Sequence, residues 1–121
     1  MKLGLGAALS LVLAMPALAA PADGFAAFWP GFTAAAAKDD AKALASMVAL
    51  GPGLGDNGGS FAKFHAANLT PATRRCLAKA KPVRDVDPQG AVSYSAFCGE
   101  VIYVFSKTGG GWKLSDLGAN D

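Results

Sequence analysis

Val101-Ile102-Tyr103-Val104-Phe105-Ser106-Lys107-Thr108-Gly109-Gly110-Gly111-Trp112-Lys113-Leu114-Ser115-Asp116-Leu117 reads as a β-hairpin closed by a glycine turn. Val101 to Phe105 is β-branched or aromatic throughout, the residue types that fit a pleated, half-buried surface. Thr108 and the three glycines reverse the chain, and Trp112 to Leu117 returns. With a side-chain period of two, Trp112, Leu114 and Asp116 fall on one face of the returning strand. Asp116 is therefore expected to face inward, where desolvation would raise its pKa unless it finds a partner such as an Arg.

Working back from the hairpin, Cys98-Gly99-Glu100 makes a tight connection and Ala91 to Phe97 alternates like a strand. Asp87-Pro88-Gln89-Gly90 is a turn before it, and the periodicity changes at Val83. The C-terminal part is thus an antiparallel meander of three to four strands.

The preceding part is helical. Phe25, Phe28, Trp29 and Phe32 recur at i, i+3, i+4 and i+7, one face of a helix from about Gly24 to Lys38. Asp23 is placed to cap it, and Pro30 is expected to bend it. Asp39 is expected to cap a second helix over Asp40 to Val48, with Leu44, Met47 and Val48 inward. Ser60 caps a short helix carrying Phe61 and Phe64. Thr70-Pro71 opens a last one, running to about Lys79 with Cys76, Leu77 and Ala80 on its buried side. Helices first and strands after is the α+β layout, N-terminal helices packed on one face of a curved antiparallel sheet.

The first residues carry an export signal. Met1-Lys2 is a short positive region, Leu3 to Met15 has no charge, and Pro16-Ala17-Leu18-Ala19 supplies the small residues that a signal peptidase reads. The expected cut is Ala19|Ala20, leaving residues 20–121 as a single domain. The apolar run falls short of the ~20 residues that a membrane span needs, so no stable membrane anchor is expected and the compartment is periplasmic or secreted. The formal net charge of the chain is +2, one less once Lys2 leaves. The modest cluster of Arg74, Arg75, Lys79, Lys81 and Arg84 is interrupted by Asp85 and Asp87. It lacks the density of a nucleic-acid surface.

Cys76 and Cys98 are the only cysteines. An even count in an exported chain favours a structural disulfide; the pair is not C-x-x-C, which argues against a redox turn. The 51–59 segment is glycine-rich but lacks G-x-x-x-x-G-K-[ST], so it is not a phosphate cradle. Asp23, Asp56 and Asn57 lack the alternation of a calcium loop. No cofactor, metal cluster or nucleophile triad is expected.

The aromatic first helix, the "KDD" that starts the second, and the terminal "VIYVFSKTGGGWKLSDL" together resemble the nuclear transport factor 2-like superfamily, most of all its small secreted bacterial members. The resemblance implies a cone-shaped sheet around a long helix, with a pocket that is enzymatic in some members and a binding cavity in others. Isomerase members place a Tyr on the first helix and paired Asp residues around an apolar cavity. The inward positions here are Phe25, Phe28, Trp29 and Phe32, a departure that counts against isomerase chemistry.

The pocket candidates are Asp116, Tyr94, Tyr103, His65, Arg75 and Trp29. Tyr94 and Tyr103 can point hydroxyls into the cone. His65, the single histidine, needs an orienting partner to serve as a base. Arg75 opens the last helix, where the helix dipole disfavours a cation, and so suits an anion. Trp29 offers an aromatic wall. None is assigned a catalytic role. The expected function is non-enzymatic binding of a small ligand or an envelope protein on the concave sheet face. The alternatives are a small hydratase or isomerase, with Asp116 or His65 as base and Tyr94 or Tyr103 as electrophile, and an inhibitor or immunity protein contacting its target through the 51–59 loop. A homodimer through the sheet face is a further expectation, with Val101, Tyr103 and Phe105 as its surface.

Overall fold

The computed structural model describes residues 22–55 and 59–120. The expected export signal and its expected cut, together with Asp56 and Asn57, lie outside them. Helices α1 (Phe25–Lys38), α2 (Ala41–Ser46), α3 (Phe61–Asn68) and α4 (Pro71–Lys79) precede strands β1 (Val83–Val86), β2 (Val92–Cys98), β3 (Val101–Thr108) and β4 (Gly111–Ala119). The sheet order is β1-β2-β3-β4, each neighbouring pair antiparallel. This is the expected α+β meander, and residues 83–86, where the period was seen to change, form the fourth strand.

Sheet parity decides which residues meet the helices. Tyr94, Ala96 and Cys98 of β2, Tyr103 and Phe105 of β3, and Trp112 and Leu114 of β4 are buried. The aromatic stripe of α1 lies on them. Phe105, fully buried, meets Phe32 edge-on at 4.9 Å and Trp29 at 5.2 Å between ring centroids. Phe25 stacks on Tyr94 at 3.8 Å. Aromatic pairs of this kind each contribute roughly 0.5–1.5 kcal/mol beyond the area they bury. The sheet face under α1 is therefore filled by the chain's own rings. The dimer surface expected from Val101, Tyr103 and Phe105 is corrected accordingly: Tyr103 and Phe105 face the helices, and Ile102 and Val104 are the half-buried residues on the outer face.

Asp116 is also corrected. Val104 pairs with Asp116 but Phe105 pairs with Leu114, so Ser115 is an extra residue in β4. A bulge of one residue exchanges the two faces beyond it. Asp116 turns outward and is exposed, and Leu117 takes the half-buried place opposite Tyr103.

The second helix starts one residue later than expected. Asp40 is its cap, accepting from the Ala43 amide at 3.1 Å, and it ends at Ser46. Val48 instead leaves the helix and bridges Leu114, with the Ala49 amide donating to the Leu114 carbonyl at 2.8 Å. Pro30 sits inside α1, and the Thr33 hydroxyl donates to the Pro30 carbonyl at 3.1 Å. Ser60 and Thr70 cap α3 and α4 as the sequence indicates. Cys76 of α4 and Cys98 of β2 form a disulfide, Cα–Cα 5.9 Å. It ties the last helix to the sheet and suits an oxidising compartment.

Candidate functional site

The strongest polar convergence is at Asp23, immediately before α1. Gly24 has φ 87°, a left-handed conformation natural to glycine, and turns the chain into the helix. That turn lays Asp23 against the end of the sheet. One carboxylate oxygen, Oδ1, accepts from the Phe25 amide at 3.0 Å. The other, Oδ2, accepts from the Tyr94 hydroxyl at 2.6 Å and from Arg84 Nε at 3.2 Å. The Asp23 carbonyl accepts from the Trp112 indole at 2.8 Å and from the Lys107 ammonium at 3.5 Å. Asp23 thus gathers α1, β1, β2, β3 and β4 at one point.

The electrostatics follow from these bonds. The Tyr94 hydroxyl, the Phe25 amide and then Arg84 hold the Asp23 carboxyl below its ordinary 3.8. Burial, and secondly the bond to that carboxylate, push the Tyr94 phenol above its ordinary 10.0.

Beside this node lies a hollow of about 300 Å³ lined by Asp23, Ala91, Val92, Ser106, Lys107 and Trp112. Ala91, Val92 and the Trp112 ring give it an apolar wall. Both carboxylate oxygens of Asp23 are already engaged. The charge left for a ligand is Lys107, opposite Trp112 in the β3–β4 register, exposed and without a carboxylate partner among the described residues.

A second cluster joins the helices. Asp39, with φ 54°, ends α1. Its Oδ1 stands 2.7 Å from His65 Nε2 and 3.5 Å from Arg74 Nε. Arg74 also donates to the Leu69 carbonyl at 3.1 Å and to the Ala36 carbonyl at 3.5 Å, so it closes the C-terminal end of α1. The His65 bond, then the Arg74 charge, lower the Asp39 carboxyl pKa.

The six sequence candidates are scattered. Tyr94 reaches the Asp23 node through its hydroxyl. Tyr103 is buried at 3% exposure within the core, and Trp29 packs on Phe25, Phe32 and Phe105. Neither lines the hollow. His65 joins Asp39, the orienting partner it was said to need. Asp116 is exposed and accepts from the Leu117 amide at 2.8 Å. Arg75 is exposed, and the ion pair falls to its neighbour Arg74. Asp23, Lys107 and Trp112 were missed as site residues; a lone acid before an aromatic helix reads first as its cap, but the cap position of α1 is held by Gly24, and Asp23 stands one residue earlier, accepting from the Phe25 amide.

No group of acidic, His or Cys residues among the described residues is arranged to hold a metal. No described helix is long and apolar enough to cross a membrane. Compared with protein families, curated proteins and solved structures, the chain matches none.

Proposed function

We propose that the mature chain is an exported binding domain of nuclear transport factor 2-like type, without catalysis of its own. Its ligand has an apolar body and one anionic end and enters the hollow beside Trp112. The observation that carries this reading is the pairing of an apolar wall with Lys107, a cation that has no carboxylate partner among the described residues. The leader-like first nineteen residues and the Cys76–Cys98 bridge support export. An aryl carboxylate fits the hollow: its ring lies against the indole and its carboxylate meets the ammonium.

The test is a fluorescence titration with phenylacetate, read on Trp112 with Trp29→Phe as the background. Lys107→Met should weaken binding by about two- to fivefold, as expected for losing an exposed charge pair. Saturation with unchanged affinity in Lys107→Met, or no saturation at all, sinks the reading.

One observation favours a second reading: the Asp39–His65 bond orients an imidazole as a general base requires. The neighbours of that pair, Phe61 and Arg74, do not line the hollow. An enzyme would therefore work at the helices. Hydrolysis of an ester that His65→Gln abolishes is the result that would establish it.

A further inference from the structure

Among the described residues β1 is an edge strand whose backbone is half open. The Asp87 amide donates to the Ala91 carbonyl at 2.9 Å, which sets the phase of the β1–β2 ladder. By the alternation of antiparallel pairing, Val83 and Asp85 turn their backbone groups to β2, and Arg84 and Val86 turn theirs outward. On the opposite edge, β4 is bridged by Val48 and has bonds to Met47 and Ala49. Val83, Val86 and Phe97, exposed at 56%, 49% and 48%, all lie on β1 or on β2 beside it. Unpaired ladder groups and exposed apolar side chains therefore coincide at this edge.

We propose that the edge takes an extended segment of another protein by strand addition, with a Lys or Arg of that segment opposite Asp85. The charge pattern selects this occupant. Asp85 lies in a row with Ser93, Ser106 and Lys113, so the nearest cation of the row is three strands away. It has no ion-pair partner among the described residues. A cation on an added strand stands directly opposite and supplies the missing charge.

A second copy of this chain does not fit. Opposed residues of antiparallel strands share a face, so the two-fold axis of a self-paired edge passes through one residue of β1. An axis at Arg84 opposes it to Arg84 of the copy. At Asp85 it opposes the two Asp85 side chains, and at Val86 it opposes Asp85 to Asp87. At Val83 it does set Asp85 against Lys81 of the copy, but it also sets Arg84 against Pro82, which has no N–H to complete the ladder, on both sides of the axis. Each register meets like charges or a missing donor, the pattern by which edges are kept from self-pairing.

The test uses the labelled protein and two acetylated, amidated peptides, Thr-Val-Lys-Val-Thr and Thr-Val-Glu-Val-Thr, followed by amide chemical shifts and hydrogen exchange. The Lys peptide should protect the Arg84 and Val86 amides and bind about fivefold more tightly than the Glu peptide. Val86→Pro removes one outward N–H and no β1–β2 bond, so it should abolish binding while the protein still melts cooperatively. Asp85→Lys, which leaves the backbone alone, should reverse the preference between peptides. The proposal is overturned by equal binding of the two peptides, by unprotected Arg84 and Val86 amides, or by a wild-type dimer that protects them. The Lys107→Met variant leaves this edge intact, so failure here and failure of the hollow are separate results.

Discussion

The Tyr94 hydroxyl and the Asp23 carboxylate, 71 residues apart in sequence, meet at 2.6 Å. The bond joins the start of α1 to the middle of the sheet, and it gives the domain an acid-sensitive fastening. Asp23→Asn keeps the shape and removes the charge, so it should melt below wild type at neutral pH. The folded carboxyl titrates below 3.8, so its stabilisation is fully present above about pH 5. It is lost as the pH falls through 3.8 and then through the lower folded value. Thermal melts of the two proteins should therefore converge in acid; a gap that stays constant down to about pH 2 contradicts this assignment.

Tyr94 gives the opposite sign at the alkaline end. Its folded phenol titrates above 10.0, so the stabilisation it brings is complete below about pH 10 and lost as the pH rises through the raised value. Ultraviolet titration should show a late tyrosine phase that is absent in Tyr94→Phe and shifted to lower pH in Asp23→Asn.

Two glycines should respond oppositely to the same substitution. Gly31 lies within α1, and a Cβ there meets nothing within 4 Å. Gly31→Ala should stabilise by roughly 0.5–1 kcal/mol through helix propensity. At Gly53, in the 3-10 turn Pro52–Leu54, a Cβ would stand 2.5 Å from the Ser115 carbonyl oxygen at the β4 bulge. Gly53→Ala should cost about 1–3 kcal/mol, read by urea denaturation.

The disulfide closes a loop with a sequence separation of 22. Loop entropy puts its contribution at roughly 3 kcal/mol. Cys76→Ser with Cys98→Ser should lower the melting midpoint by roughly 12–24 °C. The double variant should keep the helix and strand content of the wild type, since Leu77 and Ala96 still hold α4 and β2 in the core.

The meander and the helix starts at Ser60 and Thr70 were legible because each rests on local chemistry: alternation, glycine turns, a hydroxyl three residues before an amide. Facing was legible only where the period ran unbroken. Trp112 and Leu114 point inward as read. Asp116 does not, because the bulge at Ser115 depends on how two strands pair and leaves no mark in composition. In Val101 to Phe105 every residue is apolar, so parity could not be read at all. Asp23 was seen as a cap, and its link to Tyr94, Arg84 and Trp112 is a long-range fact that no spacing announces.

The central claim is that the hollow beside Trp112 holds a ligand. The most direct measurement is the intact native mass of the protein expressed from the full 121-residue sequence, compared with Lys107→Met prepared in the same way. The expected result is an additional non-covalent mass on the wild type that denaturation releases and that is carried by a smaller fraction of the variant. A bare protein mass for both, or the same added mass at equal occupancy on both, would contradict it.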